Sequence, residues 1–149
     1  MFVYRITLVK YSDQLIASGR AARWNSNDVK LIYTASSQSL ACLENVVHRS
    51  YLGLNHEFRL MKIEVPDNLE MEEIKLAELK KNWTKFESNP YTQQIGDSWI
   101  KSMNTTLLKV PSSIIFQENN YLINPKHLDF DRIKLISVEP FVFDQRIKS

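Results

Sequence analysis

Glycine is scarce in this chain, with Gly19, Gly53 and Gly96 its whole supply over 149 residues. No G-x-G-x-x-G or G-x-x-x-x-G-K stretch can be written with them, which excludes a dinucleotide fingerprint and a P-loop. Cysteine is scarcer still: Cys42 stands alone, so neither an internal disulfide nor a C-x-x-C pair exists. The histidines His48, His56 and His127 are scattered without ligand spacing, and no metal site is expected. No apolar run approaches the length of a membrane span, and no membrane role is expected. The N-terminus MFVYRITLVKYSD lacks the apolar block and cleavage site of a secretory signal. With a lone cysteine, this fits a reducing cytoplasm. Net charge is only +2 and no basic stripe is visible, so direct nucleic-acid binding is not expected.

What remains is ordinary globular material, large enough to bury a core as one domain over residues 1–149. There is no internal repeat or low-complexity segment. Residues 2–8, 31–34, 58–65, 106–110, 113–116, 121–123 and 133–143 read as strands, the last broken or bent near Pro140. A helix capped by Ser36 or Ser37 should run to about Arg49, and a second should span residues 92–103. Residues 11–28 read as irregular. Residues 70–81 read as a solvated segment with room for a short helix. Strands and helices mix without a regular βαβ rhythm, so the expected class is α+β with a mixed, largely antiparallel sheet and flanking helices.

Five residues sit awkwardly in that reading. At 100° per residue, Leu40, Leu43 and Val47 fall on one helical stripe, and Glu44 falls inside it with His48 one turn beyond. A carboxylate on an apolar face is costly unless it is paired or lines a cavity. Glu44 is therefore a structural ion pair, an edge residue, or a pocket acid. Arg23 in RWNS is either a solvated loop charge or a bidentate phosphate binder. Arg5 interrupts an apolar strand, as a solvent-facing position or for a purpose. Tyr33 is a half-buried aromatic or a pocket wall. Ser112 after Val-Pro is turn chemistry or a hydrogen-bonding group, and no G-x-S-x-G elbow makes it a hydrolase nucleophile.

Taken in order, the motifs are more specific. VYRI at 3–6, SG at 18–19, RWNS at 23–26, IYTA at 32–35, LACLENVVH at 40–48, IGDSW at 95–99, KVPS at 109–112 and ENNYLINPKH at 118–127 together resemble the RES-domain family. These are toxins of bacterial pairs with Xre-like antitoxins, and the domain is named for an arginine, a glutamate and a serine. The resemblance covers nearly the whole chain. It puts the family's arginine on Arg23, its tyrosine on Tyr33, its glutamate on Glu44, its serine on Ser112 and its first-strand arginine on Arg5. One departure stands out: family members commonly carry a longer Gly-rich stretch ending GGRWN. Here it is SGRAARWN, a shorter loop holding both Arg20 and Arg23 as candidates to face the substrate, and the RWN context favours Arg23.

The resemblance implies an ADP-ribosyltransferase-like fold and an enzyme that splits the nicotinamide–ribose bond of NAD, with NAD as substrate and no cofactor. The acceptor would be water, phosphate or a protein. Glu44, Arg23 and Tyr33 would be catalytic, and Arg5, Arg23, Tyr33 and Ser112 would bind NAD. A cognate Xre-like antitoxin would restrain the enzyme in a hetero-oligomer, since no tail or spare segment stands ready to cover a pocket in cis. A nuclease or RNA-binding toxin, or a non-catalytic binding module, would be the readings outside this class.

Overall fold

The structure, a computed structural model, describes residues 1–148. The chain forms β1 (Phe2–Leu8), β2 (Ile32–Ala35), α1 (Gln38–His48), β3 (Phe58–Glu64), β4 (Met71–Glu73), α2 (Asn89–Ser102), β5 (Leu107–Pro111), β6 (Asn119–Ile123) and β7 (Lys134–Phe141). The strands make one seven-stranded sheet in the order β4-β5-β6-β2-β1-β3-β7. Every pairing is antiparallel except β4 with β5, so the expected mixed, largely antiparallel α+β class holds.

Successive side chains on a strand point to opposite faces, and the core is divided accordingly. Leu107 and Ile123 join Val3, Met61 and Ile63 on one face, while Leu108 and Leu122 join Trp24, Trp83 and Trp99 under α2 on the other. α1 packs Leu40 and Ala41 against Ile6, Phe58 and Leu60.

One irregularity matters more than the rest. β1 pairs with β3 along its whole length, from Phe2↔Glu64 to Leu8↔Phe58, yet β1 and β2 share the single position Tyr4↔Ala35. The remainder of that junction carries no ladder. The sheet is thus open beside α1, at the point where the chain leaves β2.

Several local expectations need correction. Val47 is 53% exposed, and the buried residues of α1 are Leu40 and Ala41. The buried face is rotated toward β1, and Glu44 therefore sits at its margin rather than inside an apolar stripe. Residues 113–116 form a turn, because the Ser112 hydroxyl accepts from the Ile114 and Ile115 amides at 3.0 and 3.1 Å and takes those donors from any ladder. The charged stretch 70–81 contributes the short edge strand β4 and a 3-10 turn at Leu76–Glu78. β7 runs through Pro140, which pairs with Arg59; as an edge strand it needs no amide there, and the register shift falls earlier in the strand, between Leu135 and Ser137. α2 begins at Asn89, with Pro90 in its first turn, where a missing amide costs nothing.

Candidate active site

The open junction between β1 and β2 holds a cavity of about 650 Å³, within the range of small-molecule sites. Its walls come from four places: β1 with Arg5, β2 with Tyr33, α1 with Glu44, and the loop of residues 21–24 with Arg23. Four of the five singled-out residues thus meet in one space. The fifth, Ser112, is fully buried and stands behind Glu44, which it serves as a donor: its Oγ lies 3.3 Å from Glu44 Oε1.

Glu44 is positioned from two directions. α1 starts on Ser37, whose side chain accepts from the Leu40 amide at 3.1 Å, and this cap sets the phase of the helix. Ser112 then holds one carboxylate oxygen, while His48 Nε2 lies 3.8 Å from the other. His48 is 65% exposed, so that pair is the weaker restraint.

Arg23 is carried by a loop that is far from loose. Tyr33 is its post: the Trp24 amide donates to the Tyr33 hydroxyl at 3.0 Å, and that hydroxyl donates to Asn25 Oδ1 at 2.5 Å. Burial pushes the Tyr33 phenol well above its ordinary range, so it stays a neutral donor. Asn25 is 2% exposed, and its amide donates to the Arg20 and Val29 carbonyls at 2.8 and 2.9 Å. From α2, Asp97 accepts from the Ser26 amide and hydroxyl at 3.0 and 2.5 Å. Arg23 itself donates to the Trp83 carbonyl at 3.1 Å, with its guanidinium 5.6 Å from the Trp83 ring centroid. Arg20 is exposed and lies outside the cavity wall.

Arg5 is half-buried, not solvent-facing, and donates to the Ile16 carbonyl at 3.1 Å. Burial lowers the pKa of both Arg5 and Arg23; at Arg23 the Glu44 carboxylate opposes that shift. Both remain charged, since guanidinium does not lose its proton in proteins. The cavity therefore sets fixed positive groups against one carboxylate. Among the described residues no group of three His, Cys, Asp or Glu side chains could hold a metal ion. No described helix is long and apolar enough to cross a membrane.

Sequence reasoning missed three parts of this site. Arg49 lines the wall just beyond α1, and Thr84, Phe86 and Asn89 form a rim. The third is Gly96, against which the Trp24 backbone is packed. A glycine inside a helical pattern was a usable signal for close approach, and Asn45 with Arg49 at i,i+4 was one for a pinned arginine.

Comparison with known proteins bears on the same residues. The RES domain matches residues 3–144. A protein named Prs ADP-ribosylating toxin from Sphingobium sp. (strain YBL2) is 38% identical over 141 residues, covering 91% of this chain and 88% of the relative. A protein named Toxin Res from Yersinia enterocolitica is 36% identical over 154 residues, covering 99% of this chain and all of the relative (100%). In the crystal structure of the M. tuberculosis MbcT-MbcA toxin-antitoxin complex, one chain superposes with a TM-score of 0.77 at 18% identity, covering 95% of this chain and 84% of that one. That likeness speaks to the fold, and the match along 3–144 spans every residue placed on the cavity above: the chain belongs to the RES-domain family.

Proposed function

We propose that this chain is the toxin of a toxin–antitoxin pair and that it consumes NAD by cleaving the nicotinamide–ribose bond, as a glycohydrolase or phosphorylase. The observation that carries the reading is Glu44, a carboxylate held by Ser112 in a cavity whose other charged walls are arginines. Breaking that bond builds positive charge on the ribosyl carbon, as in glycoside cleavage. A fixed carboxylate beside it lowers the barrier electrostatically. Nicotinamide departs as a neutral molecule, so no strong acid is needed at the leaving group. This suits a site where the Tyr33 hydroxyl is already committed to Trp24 and Asn25. Its ring walls the cavity and its hydroxyl keeps Arg23 in place. Arg23 and Arg5 face the diphosphate, and Ser112 acts through Glu44.

Arg23→Lys keeps the charge but loses the planar fork. NAD binding, followed by calorimetry, is expected to weaken about tenfold, the loss of one good charge-assisted hydrogen bond. Equal affinities would return Arg23 to a structural role on Trp83.

A second reading, transfer of ADP-ribose to a protein, is favoured by the name of the Sphingobium relative. Product analysis after incubation with NAD, with and without phosphate, separates the outcomes. Free ADP-ribose means water, a phosphorylated ADP-ribose means phosphate, and a mass increase on a protein means transfer. No nicotinamide release by the folded chain would sink both readings.

An enzyme that drains NAD in the cytoplasm must be restrained, and we assign the restraint to a small Xre-like antitoxin. It would bind as a hetero-oligomer over the cavity near Arg23 and Tyr33. Expression of this chain alone is expected to arrest growth and lower cellular NAD, and co-expression with the neighbouring antitoxin gene to restore both. Harmless expression of the folded chain with NAD unchanged would count against the toxin role.

A further inference from the structure

Arg49 caps the C-terminal end of α1 and lines the cavity. Three contacts pin it. Its Nε donates to Asn45 Oδ1 at 3.0 Å, and Asn45 Nδ2 donates to the Ile6 carbonyl of β1 at 3.2 Å. Its guanidinium lies 5.0 Å from the Phe58 ring centroid. Lys148 Nζ donates to the Arg49 carbonyl at 2.8 Å, which ties down the backbone.

Only Nε is used in these hydrogen bonds, so the donors on both terminal nitrogens are free among the described residues. No carboxylate of the described residues lies within 4.0 Å of Arg5, Arg23 or Arg49. A pinned, half-buried and unpaired guanidinium on a cavity wall is built to receive an anion, and its fork suits phosphate oxygens in pairs. Arg49 is the C-cap residue of the helix that carries Glu44, and its amide still donates to the Asn45 carbonyl of that helix. An anion held there is placed relative to the acid by a rigid element.

We propose that Arg49 is a third anion-binding residue of the cavity, one that takes the substrate's diphosphate and holds it equally in ground and transition states. The identity of that substrate rests on the NAD reading above; the anion site itself does not.

The test titrates inorganic pyrophosphate into wild type, Arg49→Gln and Arg49→Lys by calorimetry at low salt, and measures nicotinamide release from NAD. Arg49→Gln is expected to weaken pyrophosphate about tenfold or more and raise KM for NAD by a similar factor. Its kcat should stay within about threefold, because the lost contact is made in ground and transition states alike. The rise of KM with salt should become shallower, since one charge contact is gone. Arg49→Lys should recover part of the affinity. A folded Arg49→Gln with wild-type pyrophosphate affinity and KM overturns the role, as does a loss of kcat with KM unchanged. If Arg49→Gln does not fold, Arg49→Lys carries the test, because it keeps the stem over Phe58 and the charge but not the Nε bond. Wild-type affinity in Arg49→Lys would then overturn the proposal. Pyrophosphate binding that depends on Arg49, without any nicotinamide release by wild type, defeats the NAD reading and leaves the anion site standing.

Discussion

Glu44→Gln is expected to keep the fold and lose NAD turnover by about two orders of magnitude or more. The substitution is nearly isosteric. Gln retains a carbonyl oxygen for the Ser112 hydroxyl, which lies 3.3 Å from Glu44 Oε1. The helix cap at Ser37 is untouched. What disappears is the negative charge, and with it the stabilisation of the ribosyl cation. The lost contact with exposed His48 costs little. A thermal melt close to wild type, combined with a collapsed rate of nicotinamide release, is the expected pair of results. Wild-type turnover in the folded variant would remove Glu44 from the mechanism.

The second large effect acts from behind the loop that carries Arg23. In Gly96→Ala, a Cβ would stand 1.6 Å from the Trp24 carbonyl oxygen and 2.7 Å from its carbon. Both are backbone atoms, so no side-chain rotation relieves the clash and the whole loop must retreat from α2. Alanine alone would favour the helix by about 1 kcal/mol. Overpacking of this kind costs roughly 1–3 kcal/mol and occasionally more, and a contact this short belongs at the upper end. The melting temperature is expected to fall by roughly 4–8 °C for a net loss of about 2 kcal/mol in a chain of this size. Activity should fall further than stability, because the retreat breaks the Ser26–Asp97 bonds at 3.0 and 2.5 Å and frees the loop that carries Arg23. A melting temperature and turnover equal to wild type would mean that α2 and the Trp24 backbone are not in contact.

The two predictions mark two levels of legibility. Glu44 could be singled out in the sequence because a carboxylate among leucines conflicts with burial. Its partner Ser112 could be named from the KVPS motif, but as a substrate contact; its hydroxyl instead serves Glu44 and two turn amides, which no strand–turn pattern reveals. Tyr33 was visible as a pocket residue, while the use of its hydroxyl as a post for residues 24 and 25 was not. The stripe through Val47 was misread because periodicity assigns a face without saying what packs on it; α1 turns Ala41 and Asn45 toward β1, leaving Val47 53% exposed.

By itself the sequence determined the type of both helices and of most strands, the α+β class, the family and the chemical character of four cavity residues. These follow from local quantities: strand alternation, a serine cap, a proline stop, and charges placed where burial penalises them. Only the tertiary structure decided where β1 and β2 stop pairing, and hence where a cavity opens. It also decided which arginines face that cavity. The RWN motif favours Arg23 over Arg20, but what turns Arg23 inward is Tyr33, Asp97 and Trp83, which lie 10, 74 and 60 positions further along the chain. Contacts at such separations depend on the packing of the whole sheet and α2, and no window of sequence contains them.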